Sequence, residues 1–270
     1  VEEKSGNALT GYQISVNVDT ASLIAAGKMR ENGDDIRFTD SANNEIPYWT
    51  ESGMNTENTT IWVKVPQIPA LGTETIYMYY GNQDASSGSN GSATFEFFDD
   101  FDSGNLTDKW DTVDAYNPSV FAYSNGRMVA TMFEIHPPIT EMPIKPTYSI
   151  PDNITIEFDG RITGSPQYYI GACSRWEDRD NHFTFYAWDY TGEGLNDEHT
   201  ILDVNQGNRS DYVWVQSNWE PVVWYKWKIE SYGNTHNFYR NNTLIVNKTD
   251  NDHPSGRVGL MAARGGTEWD

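Results

Sequence analysis

The sequence predicts an all-β protein built from two antiparallel, jelly-roll-like β-sandwich domains in tandem. The chain of 270 residues is long enough for two domains. It is 14% aromatic and contains 22 Gly and 12 Pro, a composition that favours strands and turns. Short segments alternate apolar and polar residues, and clear helical periods are nearly absent. We therefore expect antiparallel sheets joined by turns.

The first set of strands lies before a run of small residues, Ala85–Ser92. In residues 12–18 the apolar positions recur every second residue, which is typical of a half-buried strand. One short helix is predicted between Thr20 and Ala26, and Gly27 ends it. Three further strands are predicted over 35–39, 60–65 and 75–80, with Ile61, Val63 and Val65 facing inward. These elements form the predicted first domain, residues 1–92.

The second set of strands follows the Ala85–Ser92 run. Alternating segments occur at 154–159, 183–188 and 224–229. Residues 238–246 predict a hairpin with an Asn241-Asn242 turn, because asparagine tolerates the left-handed backbone that tight hairpin turns require. These strands form the predicted second domain, residues 93–270.

Both halves also resemble known families. The segments "IRFTD", "IPYW", "IWVKVPQIPA" and "TIYMYYGN" make residues 1–92 similar to a prokaryotic domain of unknown function that recurs in large archaeal and bacterial surface proteins. That resemblance implies a small β-sandwich without established catalytic residues. The stretch "FFDDFDSGNLTDKW" and later segments such as "ITIEFDGRI" and "GRVGLMAARG" resemble concanavalin A-like, laminin-G-like sandwiches. This second resemblance implies that a new strand begins at Phe95, but it implies no activity, since the fold hosts lectins, hydrolases and adhesion modules.

The charge of the chain argues against a nucleic-acid partner. Lys and Arg number 18 and Asp and Glu 39, so the formal net charge is −21, which repels a phosphate backbone. Two explanations of the acidity stay open: a soluble, high-salt or extracellular habitat, and carboxylates that bind divalent cations. No apolar run approaches the roughly 18 residues that span a membrane. The first residues lack the basic and apolar parts of a signal peptide.

Glycosylation sequons favour an extracellular or cell-surface location. The pattern Asn-x-Ser/Thr occurs more often than the composition alone predicts. The candidate asparagines are Asn58, Asn90, Asn105, Asn153, Asn208, Asn241 and Asn247.

The sequence predicts that the protein is not an enzyme. Glu157 and Asp159 alternate on one strand as a glycosidase pair would, but Arg161 and Ile162 stand where a third carboxylate would follow. Cys173 is the single cysteine, so a disulfide framework is excluded. His182 is a possible basic neighbour of Cys173, but the sequence indicates no third group that would orient them.

Two acidic clusters could bind structural calcium, which prefers several oxygen ligands. The first cluster is Asp99, Asp100 and Asp102, and the resemblance to laminin-G-like sandwiches implies Asp270 as its distant partner. The second is Glu177, Asp178, Asp180 and Asn181. For both clusters, the alternative is a solvated acidic turn.

Aromatic residues concentrate between residues 176 and 224, together with several Asp and Asn. Such a mixture can stack on sugar rings and hydrogen-bond their hydroxyls. We expect half or more of these aromatic side chains to be buried. The predicted glycan-binding residues are Trp176, Tyr190, Tyr212 and Trp219.

Taken together, these patterns favour a non-enzymatic, extracellular surface or adhesion protein whose second domain binds glycans. One alternative is a structural subunit that polymerises with copies of itself by strand exchange, in a filament or surface layer. In that case the strand near Val1–Lys4 or near Val258–Ala262 would have an open edge and pair with another subunit. A polysaccharide-active hydrolase is the other alternative.

Overall fold

The structure is a computed structural model that describes residues 1–102, 104–113, 115, 120–131, 140–163, 168–189, 197–220, 222–263 and 266–270. Strands make up 51% of it and helices 6%, and the strands of its sheets pair antiparallel, which confirms the predicted fold class. The chain divides into two compact units, Val1–Phe98 and Asp99–Asp270. No helix in the described ranges is long and apolar enough to cross a membrane.

The first unit contains two sheets and two short helices. Its elements are β1 (Leu9–Val18), α1 (Thr20–Ala25), β2 (Arg37–Thr39), β3 (Glu45–Ile46), β4 (Tyr48–Ser52), β5 (Thr59–Ile68), β6 (Tyr77–Tyr79) and α2 (Gly91–Thr94). Sheet A has the strand order β1, β5, β4, and sheet B has the order β3, β2, β6.

Alternating apolar residues of sheets A and B form the core of this unit. Ile61, Val63 and Val65 of β5 have 0% exposure, which confirms their predicted inward face. Phe38 of β2 and Tyr48 of β4 bring their ring centroids to 5.4 Å across the two sheets. Burying an aliphatic side chain of this size contributes about 1.5–3 kcal/mol, so this alternation stabilises the sandwich.

The segment after Ala85 belongs to the first unit for longer than the sequence predicts. Asn90 donates a backbone hydrogen bond of 2.8 Å to the Tyr48 carbonyl. Phe95 packs edge-on against Trp62 at 5.6 Å, and Phe98 packs against Trp49 at 4.9 Å. The prediction that a new strand begins at Phe95 is wrong, because Phe95 caps α2 and packs, like Phe98, against aromatic residues of sheet A. The compact first unit consequently ends after Phe98 rather than after Ser92.

The second unit is a larger sandwich. Its elements are α3 (Leu106–Lys109), β7 (Phe121–Tyr123), β8 (Met128–Ala130), β9 (Thr140–Pro143), β10 (Ile154–Ile162), β11 (Tyr168–Asp178), β12 (Asn181–Asp189), β13 (Glu198–Asn205), β14 (Asn208–Gln216), β15 (Tyr225–Tyr232), β16 (Thr235–Arg240), β17 (Thr243–Thr249), β18 (Arg257–Ala263) and β19 (Thr267–Trp269). Sheet C has the order β17, β16, β15, β10, β19, β8, β7, and sheet D has the order β14, β13, β12, β11, β18, β9.

Aromatic rings from both sheets fill the space between sheets C and D. Phe185 of β12 packs edge-on against Phe238 of β16 at 6.3 Å, and His199 of β13 lies 5.8 Å from Trp227 of β15. A hydroxyl pair crosses the same interface, with 3.1 Å between Ser174 Oγ and Ser231 Oγ. These contacts fix which side of each sheet D strand faces inward.

Of the two strand edges that were predicted to be open, the one at Val258–Ala262 is closed on both sides, and the one at Val1–Lys4 is paired on one side. Residues 258–262 lie in β18, which pairs with β11 on one side and β9 on the other. Near the amino terminus, Glu3 N donates to the Gly72 carbonyl, and Glu74 N donates to the Val1 carbonyl. The carboxy-terminal strand β19 lies between β10 and β8. The prediction of strand exchange at Val258–Ala262 is wrong, because β18 is paired on both sides. At Val1–Lys4 one side is paired within the chain, and strand exchange there stays a prediction.

Candidate functional site

The outer face of sheet D carries the side chains that bear most directly on function. Phe183 and Phe185 of β12 contact His236 and Phe238 of sheet C, so the alternate residues of β12 point away from the core. The antiparallel register carries this face from strand to strand. The outer-face residues that the structure describes on β12, β13 and β14 are His182, Thr184, Tyr186, Glu198, Thr200, Leu202, Val204, Tyr212, Trp214 and Gln216.

Two exposed aromatic residues lie at the end of this face. Tyr212 is 52% exposed and Trp214 is 48% exposed, although both lie within β14. Because they are two positions apart on one strand, their side chains leave the same face about 7 Å from each other. We call this pair the aromatic edge, since β14 is the edge strand of sheet D.

Polar groups continue from the aromatic edge across neighbouring strands. In register, Trp214 lies opposite Thr200, and Thr200 lies opposite Tyr186. Tyr186 also contacts the Tyr169 ring at 5.3 Å. Burial raises the pKa of the Tyr186 hydroxyl, so this group stays protonated and able to donate a hydrogen bond. Burial likewise raises the pKa of Glu198, which lies opposite Gln216 of β14.

A cluster of ionisable side chains around the fully buried Glu141 lies on the same side of sheet D, and we call it the Glu141 cluster. Glu141 of β9 accepts a hydrogen bond of 2.6 Å from Thr184 Oγ1 and one of 2.9 Å from Arg209 Nη2. His182 Nε2 lies 3.2 Å from Glu141 Oε1. Burial opposes ionisation of Glu141, but His182, Arg209 and the Thr184 hydroxyl together hold its pKa below the usual range. The cluster therefore ties β9, β12 and β14 together through one carboxylate.

Cys173 lies next to this cluster but is not a nucleophile in this environment. Its side chain has 0% exposure. Burial, and secondly the negative charge of Glu141, raise the pKa of the thiol well above its ordinary value. Nucleophilic cysteines need the opposite shift. Sequence reasoning found no third group for Cys173 and His182. The structure places Glu141 Oε1 3.2 Å from His182 Nε2, but the carboxylate raises the pKa of the thiol and does not activate it.

Of the predicted glycan-binding residues, only Tyr212 is both described and exposed. Trp176 is 1% exposed and stacks on the His182 ring at 4.2 Å, and Trp219 is 3% exposed and packs edge-on against Trp227 at 5.5 Å. Their ring faces are occupied by protein atoms, so stacking on a sugar is excluded in this conformation. Tyr190 lies outside the described residues. Trp214, which the sequence analysis did not select, has the exposure that Trp176 and Trp219 lack.

The first predicted calcium cluster is occupied by protein donors. Asp99 accepts side-chain hydrogen bonds from Lys109 Nζ at 2.9 Å, Trp110 Nε1 at 2.7 Å and Tyr123 Oη at 2.6 Å. Asp100 is exposed, and its Oδ1 accepts a bond from the backbone of Asp102. Asp270 pairs through its backbone with Asp159, and its carboxylate lies 3.7 Å from Arg127 Nε. Asp99 is thus a buried structural anchor, and both of its carboxylate oxygens already accept hydrogen bonds from protein donors.

The second acidic cluster is the solvated turn between β11 and β12. Asp178 Oδ1 accepts hydrogen bonds from Asp180 N at 2.8 Å and from Asn181 Nδ2 at 2.9 Å, and Glu177, Asp178 and Asp180 are exposed.

A different acidic group converges in the described part of the second unit. Oxygens of Asp203, Asp250 and Asp252 lie within 4.8 Å of one another. Each of these residues also has a protein partner: Asp203 contacts His253 at 2.7 Å, Asp250 contacts Lys248 at 2.8 Å and Asp252 accepts from Asn205 at 2.9 Å. Calcium binding stays a prediction.

The carboxylates considered for catalysis lie on the other sheet. Glu157 and Asp159 of β10 lie on the outer face of sheet C, opposite Lys228 and Lys226 of β15. Nearby, Arg161 Nη2 contacts Glu268 Oε2 at 2.9 Å. Charges of both signs are interspersed on this face, as is typical of a solvated surface.

A comparison with protein-family models finds a match over part of the chain. Residues 32–113 match a Domain of unknown function, DUF2341. The match overlaps the predicted surface-protein domain, but it begins later and extends past Ser92. No curated protein matches the chain.

Solved structures resemble the chain at low sequence identity. The carbohydrate-binding module CBM66 from Bacillus subtilis is 15% identical, and the alignment covers 60% of this chain and 91% of that chain with a TM-score of 0.48. For a Bacillus licheniformis beta-glucanase the identity is 10%, the coverage 64% and 94%, and the TM-score 0.46. For a legume lectin-like domain from Entamoeba histolytica the identity is 11%, the coverage 61% and 87%, and the TM-score 0.44.

These structures correct one prediction. The prediction that the protein is not an enzyme is wrong as stated, because the similar solved structures include several glucanases.

Proposed function

We propose that the second unit binds an uncharged glycan across the outer face of sheet D, at the aromatic edge formed by Tyr212 and Trp214. The observation that carries the proposal is the exposure of these two rings on one strand face, 52% and 48%. Exposed rings about 7 Å apart on a strand can stack on neighbouring sugar rings of one chain. The net charge of −21 favours an uncharged ligand over an acidic polysaccharide.

The polar neighbours of the aromatic edge support a sugar ligand rather than a purely apolar one. Thr200 and Tyr186 continue the row that begins at Trp214, and Glu198 lies in the next row. Tyr186 and Glu198 are partly exposed, so a phenol and a carboxylate offer a donor and acceptors for sugar hydroxyls while the rings supply the apolar contact. The Thr200 hydroxyl between them is buried, since Thr200 is 1% exposed.

The Glu141 cluster stabilises the site, because it joins β14 to β9 and β12 through side-chain hydrogen bonds. Arg209 lies at the start of β14, and its bond to Glu141 fixes that end of the edge strand to β9. A binding face held by a buried ion pair loses little conformational entropy when a ligand binds.

We propose an extracellular location for this activity, with the protein at a cell surface. All of the asparagines in the candidate sequons are exposed in the structure, so each can be reached by a glycosylating enzyme. The acidic composition supports the same proposal, because it keeps a surface protein soluble.

The test is binding to soluble polysaccharides, measured by affinity electrophoresis on a panel of neutral glucans, xylans and fructans and then by calorimetry on the best ligand. We expect Trp214→Ala and Tyr212→Ala each to weaken binding by about tenfold, because each removes one stacking contact worth about 1 kcal/mol or more. Tyr232→Ala is the matched control, since Tyr232 is 45% exposed on sheet C.

Two results would contradict the proposal: no retardation of the wild-type protein by any polysaccharide, or equal loss of binding in the Tyr232 control. Release of reducing sugar should be followed in the same samples. Product formation by the wild-type protein would add hydrolysis to binding.

A further inference from the structure

Glu198 is a partly buried carboxylate on the outer face of sheet D. It lies on β13, opposite Gln216 of the edge strand β14. Among the described residues, no group donates a hydrogen bond to its oxygens or pairs with its charge. By contrast, Glu141 on the same face accepts hydrogen bonds from Thr184 and Arg209. Glu198 is therefore a carboxylate that the described part of the chain leaves available to a ligand.

Glu198 also lies beside the aromatic edge. Because Glu198 is opposite Gln216, Trp214 is its diagonal neighbour on β14. Diagonal neighbours on one sheet face are about 7–8 Å apart, a distance that long side chains span. Burial, and then the charge of Glu198, raise the pKa of the Tyr186 hydroxyl, so Tyr186 of β12 is a close neighbour on the other side. The carboxylate thus lies between an exposed indole and a phenol.

The position of Glu198 has a cost in stability. A partly buried carboxylate without a partner loses part of its hydration and gains no hydrogen bond in return. Carboxylates in such surroundings concentrate at functional sites. The rings of Tyr212 and Trp214 are the groups proposed to stack on sugars, and sugar hydroxyls are donors that a carboxylate beside them would accept.

The shape of a stacked sugar determines which hydroxyls reach a carboxylate at this place. A pyranose with equatorial hydroxyls has two apolar faces of axial C–H bonds, and its hydroxyls project sideways in the plane of the ring. When one apolar face lies on the Trp214 ring, hydroxyls point along the sheet surface toward the adjacent strand, where Glu198 lies. An ionised carboxylate has two oxygens that only accept, so it binds two adjacent hydroxyls at once.

We propose that Glu198 makes the site specific for glycans whose internal sugars keep two adjacent free equatorial hydroxyls, which it binds through both carboxylate oxygens. This role rests on the proposed function, in which Tyr212 and Trp214 stack on the sugars. The ligand class is a glucan or xylan joined through the fourth hydroxyl, because its second and third hydroxyls are both free and equatorial. In a glucan joined through the third hydroxyl, no internal sugar offers this pair.

Calorimetry with two neutral glucose oligosaccharides of equal length tests the proposal. Cellohexaose carries the internal pair of hydroxyls, and laminarihexaose does not. At about pH 8, well above the ordinary pKa of a glutamate, we expect the wild-type chain to bind cellohexaose about tenfold more tightly than laminarihexaose. Glu198→Gln should reduce this preference to about twofold or less, because glutamine offers one acceptor oxygen and no charge.

A matched variant and a melting curve distinguish specificity from a structural effect. Glu177→Gln removes the same charge from an exposed position of β11 and should leave both affinities unchanged. Glu198→Gln should keep or raise the melting temperature, since it removes a carboxylate that has no partner. A lower melting temperature together with equal loss of both oligosaccharides would overturn the proposal.

The remaining outcomes separate the role of Glu198 from the glycan site itself. Binding that depends on Trp214 but shows no preference for cellohexaose would overturn the role of Glu198 and leave the glycan site standing. So would a preference that survives in Glu198→Gln, or binding of a fructan alone. If no glycan binds at all, the proposed function fails, and the role of Glu198 fails with it.

Discussion

At the scale of single residues, a buried carboxylate can stabilise the fold even where the sequence indicates a metal ligand. Asp99 was predicted to bind calcium because it begins an acidic cluster. Its side chain is 1% exposed and holds Lys109, Trp110 and Tyr123. Burial, and secondly the hydrogen bond to Asp99, raise the pKa of the Tyr123 hydroxyl. This anchor joins the start of the second unit to α3 and β7.

We expect Asp99→Asn to destabilise the second unit by about 2–3 kcal/mol. The change removes the charge that Lys109 neutralises and turns one acceptor into a donor, leaving buried groups unpaired. Equilibrium denaturation measures the effect. Asp100→Asn is the control, because Asp100 is exposed and should change stability by less than about 0.5 kcal/mol. Equal effects of the two substitutions would contradict the anchoring role of Asp99.

At the scale of elements, the local alternation of residues predicts where several strands and turns lie. It does not predict which strands pair with each other in a sheet. The hairpin of β16 and β17 is confirmed, with Asn241 and Asn242 at φ values of 48° and 62°. Both residues thus occupy the left-handed region that the two-residue hairpin turn requires. By contrast, no described residue pairs with the outer side of β14, whereas β18, which was selected from the sequence as an open strand, is paired on both sides.

Replacement of Asn242 tests the turn. Asn242→Ala should lower the free energy of unfolding by about 1 kcal/mol, because the alanine Cβ is sterically disfavoured at positive φ. Asn242→Gly should be neutral or slightly stabilising, since glycine adopts this backbone freely. Thermal melting distinguishes the two, with Asn247→Ala in β17 as an exposed strand control. If Asn242→Gly were as destabilising as Asn242→Ala, the side chain and not the backbone conformation would determine the effect.

At the scale of the whole molecule, stability should depend on pH through buried histidines. Burial, and secondly the charge of Arg240, lower the pKa of His199 to about 3. Burial, and secondly Arg175, lower the pKa of His236 to about 4. In the unfolded chain these imidazole rings are protonated near pH 6.5, whereas in the folded chain they stay neutral to a lower pH. The contribution of these two neutral histidines to the free energy of unfolding is therefore complete above about pH 6.5. It is lost as the pH falls toward 4 for His236 and toward 3 for His199.

We expect the second unit to lose on the order of 3 kcal/mol through His199 between pH 6.5 and pH 4. Denaturation midpoints at several pH values measure this slope. His199→Gln should flatten it, whatever its effect on stability at neutral pH. Glu141, whose pKa is lowered, adds a further loss only below its ordinary value of 4.5. An unchanged slope in His199→Gln would contradict the assignment.

The sequence by itself determined the fold class, several of the strands and the inward faces of those strands, including Ile61 and Phe185. It did so because the alternation of a strand is a local, two-residue pattern. Of the candidate site, it predicted only Tyr212 correctly as an exposed aromatic residue. Composition alone could not separate the buried Trp176 and Trp219 from the exposed Trp214.

Only the tertiary structure decided which edge stays open and which charges meet. Glu141 reaches Thr184 across 43 positions of sequence and Arg209 across 68. The burial of each tryptophan depends on the other sheet or on the strands beside it. Such contacts follow from the order of strands within a sheet, which the alternation of one strand does not encode.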